Sequence, residues 1–186
     1  MSGAPRLDRS TVLEAFTRLA ERLSRKDIVA TVYLFGGGAM LMAFDGRAAT
    51  SDLDARFTST AGIIHDVHAV ADEMGLPRWW LNEQGTSYLP RHDDPHSVPV
   101  FDHPNLRVGR VSDRHLLAMK VAASRRNTSD IADIALLARR LGLKSAPEII
   151  RLYGEVFPDE PLSERKRVIV AEAIREDTDT TSERPR

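Results

Sequence analysis

The sequence predicts an α/β chain, with a small mixed β-sheet core flanked by helices and a C-terminal helical lobe. Three observations carry this reading. Helix and strand patterns alternate as α-β-α-β-α over the first part of the chain, only helical patterns follow Ser112, and 186 residues with 42% hydrophobic content can bury one sizeable core beside a small lobe. The expected boundaries are a core over 1–111, a lobe over 112–176 and a disordered polar tail over 177–186.

Residues 1–9 read as a loose lead. Val12, Leu13, Phe16, Leu19, Ala20 and Leu23 then recur at helical spacing, with Thr11 and Glu14 spaced as a capping box. Thr31 to Phe35 reads as a short buried strand that Gly36, Gly37 and Gly38 end in a turn. Ala39 to Phe44 favours a helix, so the glycines lie at a helix N-terminus, where free N–H groups and the dipole favour an anion. After Gly46, Thr50 to Phe57 reads as a second strand whose alternate residues share a face.

Ile63, Ile64, Val67, Val70, Ala71 and Met74 form a further amphipathic helix that stops at Gly75. Residues 76–97 stay open, since Trp79, Trp80 and Leu81 suit a strand or a packed loop and RHDDPHSVP is rich in turn formers. Val98 to Phe101 and Leu106 to Val111 read as a hairpin joined through Asp102 to Asn105. Helices follow: one behind a Ser112 cap, one from near Ser129 to Gly142, one opened by the Ser145–Glu148 capping box with Pro147, and a last one to about Glu176.

Composition narrows the function classes. Acidic and basic residues nearly cancel, 27 against 26, so nucleic-acid binding has to come from local basic patches. The absence of cysteine excludes disulfides, thiol chemistry and Cys-based zinc sites. With no apolar stretch long enough to span a membrane and no signal-like N-terminus, the simplest home is the cytoplasm and no membrane partner is expected.

The chemistry gathers between Tyr33 and Phe57. Asp52 and Asp54 should point the same way, with Cα atoms about 6.5–7 Å apart by strand rise, close enough to hold one or two Mg²⁺ ions. A glycine turn that holds phosphates, followed by Asp-x-Asp on the next strand, is what nucleotidyl transfer from an NTP requires. Taken singly, glycine turns are common and an exposed Asp-x-Asp also describes a solvated strand end.

The order of these pieces resembles the DNA polymerase β-like nucleotidyltransferase superfamily, and within it the minimal AbiEii and MenT toxins of toxin-antitoxin systems. Their Gly-Gly-x-Ala then Arg-x-Thr-x-Asp-x-Asp is met by Gly36, Gly37 and Ala39, then Arg47, Thr50, Asp52 and Asp54. LLAMKVAASRRNTSDIADIALL is similar to the group's Leu-Leu-x-x-Lys-Leu-x-Ala and Arg-Asp-x-x-Asp-Leu. The resemblance implies transfer of NMP to an acceptor hydroxyl, first of all the 3′ end of tRNA, with a cognate antitoxin as partner. It implies that Gly36, Gly37, Gly38, Arg47, Thr50 and Ser51 bind nucleotide, that Lys120 neutralises phosphate charge and that Asp130 completes the site, with Asp133 one turn on. In some similar toxins the partner phosphorylates a hydroxyl at the position of Thr50. Acceptors on proteins or small molecules, or a catalytically inactive binding relative, are the alternatives.

Each assignment has a plainer counterpart. Lys120 among apolar neighbours is also a lysine that snorkels to water, and Asp130 in a first helical turn offsets the dipole. Ser129 stands where the family often has arginine, so Arg125 or Arg126 would supply that charge. Asp102 is placed for a third carboxylate, although a turn role suits it as well. Arg125, Arg126, Arg139, Arg140, Lys144 and Arg151 make either an RNA-binding face or a solvated one. His92, Asp93, Asp94 and His96 offer metal ligands within a charged turn-rich loop, and Trp79 and Trp80 offer either a base-stacking platform or a core contact.

Overall fold

The computed structural model describes residues 6–45, 49–125 and 128–182. The chain is a mixed α/β protein that divides into two compact units, one of Met1–Ser87 with His96–Val111 and one of Tyr88–Pro95 with Ser112–Arg186. No described helix is long and apolar enough to cross a membrane.

In the first unit the order is α1 (Arg9–Ser24), β1 (Ala30–Leu34), α2 (Gly36–Ala43), β2 (Leu53–Ser59), α3 (Ile64–Met74), β3 (Leu81–Asn82), a 3-10 turn (Gln84–Tyr88, whose last residue belongs to the second unit), β4 (Val98–His103) and β5 (Leu106–Arg110). The strands form a five-stranded sheet in the order β3-β2-β1-β5-β4. β1 runs antiparallel to β2 and parallel to β5, β3 is parallel to β2, and β4 and β5 form the expected antiparallel hairpin.

One sheet face is covered by α1 and α3. Val32, Leu34, Leu53, Ala55 and Val108 from the strands meet Phe16 and Leu19 of α1 and Val67 and Val70 of α3. Phe16 sits with its ring centroid 5.9 Å from that of Trp80, and the Trp80 indole N–H donates to the Val67 carbonyl at 3.0 Å. Beneath this layer Arg22 and Lys26 of α1 close on the buried Asp66 of α3, at 3.3 and 2.7 Å.

Several expectations are corrected here. The described part of the lead, residues 6–9, is anchored rather than loose, and residues 1–5 lie outside the described residues. Leu7 is fully buried and exchanges two backbone hydrogen bonds with Thr50, and Asp8, not Thr11, caps α1 by accepting the Thr11 N–H at 2.8 Å. Glu14 instead pairs with Arg18 one turn along. The three glycines do not precede the helix; they are its first turn. Ile64, expected inward, is exposed, whereas Ile63 is buried.

The second unit is helical, with α4 (Asp113–Ala123), α5 (Thr128–Arg140), α6 (Ala146–Val156) and α7 (Glu164–Ser182). α5 packs on α4 and α7, and α6 on α4 and α7. Ser112 caps α4 as expected, accepting the His115 N–H. The Ser145 capping box is only half formed: Glu148 accepts the Lys144 N–H and the Ser145 hydroxyl, but Ser145 itself caps no N–H. α7 continues to Ser182, past Glu176, so residues 177–182 are helical rather than part of a disordered tail.

Candidate active site

β1 delivers the chain to Phe35, which is extended, and Gly36 follows at φ +59°, a left-handed conformation that disfavours any side chain. That reversal starts α2. Its first i→i−4 bond runs from the Ala39 N–H to the Phe35 carbonyl, so the Gly37 and Gly38 N–H groups stand ahead of it without an intrahelical acceptor. The glycines also let the second strand approach. A Cβ on Gly36 would lie 2.8 Å from Asp54 Oδ2, one on Gly37 2.9 Å from Thr50 Oγ1, and one on Gly38 2.8 Å from Leu53 Cδ2. The structure thus brings Gly36, Gly37, Gly38, Thr50 and Asp54 together, with an anion-favouring helix start against a carboxylate strand.

Asp54 lies on β2 between Leu53 and Ala55, both fully buried, so its side chain leaves the sheet on the face away from the core. Its backbone carbonyl accepts the Phe35 N–H at 3.0 Å. A third glycine contact closes the cradle: a Cβ on Gly85, in the 3-10 turn, would sit 2.9 Å from Asp54 Oδ1 and 2.8 Å from the Phe35 ring.

Thr50, Asp52 and Asp54 were expected along one strand, but β2 begins only at Leu53. The bridge to Leu7 holds Thr50, Ser51 bends the chain, and Asp52 lies in the bend's exit. Thr50 donates its hydroxyl to the Asp52 carbonyl at 3.1 Å. Ser51, expected to touch nucleotide, donates to Asp52 Oδ1 at 2.8 Å. Asn82 pairs with Asp54 across β2 and β3, and its amide reaches Asp52 Oδ2 at 3.4 Å. Asn82 therefore connects the Asp54 backbone to the Asp52 carboxylate. Arg47 lies outside the described residues.

In the second unit Lys120 does not snorkel. Its ammonium meets the Asp133 carboxylate at 2.6 Å, and both side chains are largely buried. Asp130 accepts the Arg125 backbone N–H at 3.0 Å. Arg140 pairs with Asp113 at 2.8 Å. Arg125, Arg139, Lys144 and Arg151 are exposed, while Arg126 lies outside the described residues.

Asp102 is corrected on two counts. It belongs to β4 rather than to a turn, and it stands at the level of Arg107 and Thr31, three strands from β2 and toward the other end of β1 from Asp54. Its carboxylate is exposed beside Arg107 at 3.9 Å. The Asp94 side chain is buried at the start of α4, accepting the N–H of its cap Ser112 at 2.6 Å and facing His115 Nδ1 at 3.3 Å. His92 and Asp93 share its unit, whereas His96 belongs to the other. Among the described residues no group of three or more His, Cys, Asp or Glu side chains is placed to hold a metal ion by itself. Of the two tryptophans, Trp80 is the core contact and Trp79 is exposed.

Leu7, Asn82 and Gly85 were missed. Leu7 had a readable signal, an apolar residue one before the Asp8 cap and paired with Val12 as a hydrophobic staple. Asn82 and Gly85 had none, since only the sheet register brings them to the aspartates.

The carboxylates of Asp52 and Asp54, oxygen donors without nitrogen or sulfur, fit a hard divalent cation. No family model, curated protein or solved structure matches the chain.

Proposed function

We propose that this chain is a Mg²⁺-dependent nucleotidyltransferase that moves NMP from an NTP to an acceptor hydroxyl, the 3′ end of tRNA first, as the toxin of a toxin-antitoxin pair in the cytoplasm. One observation carries the reading. The glycine turn and the Asp-x-Asp segment approach so closely that a methyl group on Gly36 would meet Asp54 Oδ2 at 2.8 Å. Phosphate-holding N–H groups and cation-holding carboxylates within a few ångströms are what this reaction needs.

In the proposed step the acceptor hydroxyl gives up its proton to water as its oxygen forms a bond to the α-phosphorus, the bond from that phosphorus to the α–β bridging oxygen breaks in line, and pyrophosphate leaves. The Gly37 and Gly38 N–H groups hold phosphate oxygens and orient the chain of phosphates. Asp52 and Asp54 would hold Mg²⁺, a hard cation suited to carboxylate oxygens. A bound cation supplies Lewis acidity toward the phosphate and the acceptor hydroxyl. Arg125, Arg139, Arg140, Lys144 and Arg151 are the exposed described members of the proposed RNA face. A phosphate placed on Thr50 by an antitoxin would add about −1.5 to −2 charge beside Asp52 and oppose cation and NTP binding.

The test uses purified protein with each α-labelled NTP, Mg²⁺ and total cell RNA. Label is expected on tRNA, and its transfer is lost in Asp52→Ala and Asp54→Ala. Label found only on protein rejects the tRNA acceptor, and no label with any NTP rejects catalysis in favour of a binding module.

A further inference from the structure

We propose that Ser51 and Asn82 are positioning residues that hold the Asp52 carboxylate in one plane and so set the site's affinity for its cation. The proposal rests on the reading of Asp52 and Asp54 as a cation-holding pair. Asp52 needs such help because it precedes β2 and has no ladder of its own to fix it. Both of its oxygens are engaged by neutral donors, Oδ1 by the Ser51 hydroxyl at 2.8 Å and Oδ2 by the Asn82 amide at 3.4 Å.

The orientation of Asn82 is determined by its surroundings. Only 8% exposed, it accepts the Gln84 backbone N–H through Oδ1 at 2.9 Å. An N–H can only donate, so the amide oxygen must face Gln84 and the NH₂ group must face the other way. Its two hydrogens then go to the Trp79 carbonyl, at 3.1 Å, and to Asp52. Because β3 sets Asn82 directly beside Asp54, one buried residue couples the two aspartates, its backbone in register with Asp54 and its side chain on the Asp52 carboxylate. Neutral donors do this without adding charge to the site, and each carboxylate oxygen keeps a further lone pair for a cation.

Mn²⁺ binding, followed by the loss of the free-ion EPR signal, reads this without any turnover. Wild type is expected to bind and Asp52→Ala to lose binding. Ser51→Ala and Asn82→Ala are each expected to weaken Mn²⁺ about tenfold or more, while Ser51→Thr, which keeps the hydroxyl, restores it. Ser51 is exposed, so Ser51→Ala carries the test even if Asn82→Ala does not fold. Wild-type binding that both alanine variants leave unchanged overturns the positioning role alone. Failure of wild type to bind Mn²⁺, with and without a non-hydrolysable NTP, overturns the cation-site reading beneath it.

Discussion

Leu7 and Thr50 exchange both of their backbone hydrogen bonds, at 2.7 and 2.9 Å, so a residue ahead of the first helix holds the threonine that faces Gly37. The Leu7 side chain is fully buried in the same core as Phe16 and Leu53. The bridge therefore ties the candidate site to the hydrophobic layer under the sheet.

Leu7→Ala should cost about 2–5 kcal/mol, the range for removing a buried leucine side chain and leaving a cavity. Urea unfolding checks this: the midpoint falls while the slope stays unchanged.

The glycines around Asp54 separate close approach from simple flexibility. Gly85→Ala should lose about 1–3 kcal/mol by overpacking and abolish nucleotidyl transfer, because the new methyl meets Asp54 and Phe35. Gly62→Ala, with nothing within 4 Å of the added carbon, should change neither melting temperature nor activity. Equal effects of the two substitutions would remove the argument from the cradle.

Lys120→Met leaves the buried Asp133 carboxylate without its ammonium partner and should cost about 3–5 kcal/mol. Combining it with Asp133→Leu should recover part of that loss in a thermal melt. If Lys120 also neutralises phosphate, transfer stays low in the double variant although stability returns; if the pair is purely structural, activity returns with stability.

Acid should destabilise the chain through its helix caps. The Thr11 backbone N–H holds the Asp8 carboxyl below its ordinary 3.8, and the Lys144 N–H holds Glu148 below its ordinary 4.5. A carboxylate whose folded value is lowered stabilises the fold above its ordinary value, and that contribution is lost as pH falls through the lowered one. Asp8→Asn keeps an acceptor at the cap without titrating, so its melting temperature should fall less than that of wild type as pH is taken from neutral to below 3.8, where the wild-type carboxylate protonates.

Much of the secondary structure was legible because it rests on local physics. The apolar stripe of α1, the left-handed Gly75 that stops α3, and the β4–β5 hairpin follow from spacing and backbone preference alone. The association of Gly36 to Gly38 with Thr50 and Asp54 was legible for the same reason, since a short strand, a tight turn and a second strand leave few ways to pack. Errors appeared where a local signal had a competitor. Thr11 and Glu14 match a capping box, yet Asp8 takes the Thr11 N–H; Asp102 resembles a turn residue, yet the strand pairing with Arg107 claims it.

By itself the sequence determined the α/β class and the glycine turn that opens a helix, because each depends on residues close together in the chain. Tertiary structure alone decided that Leu7 pins Thr50, that Asn82 and Gly85 reach the aspartates, and that Lys120 is bound to Asp133. These are contacts between segments far apart in sequence, set by sheet register and helix packing, and no periodicity along the chain records which distant residue will fill a given space.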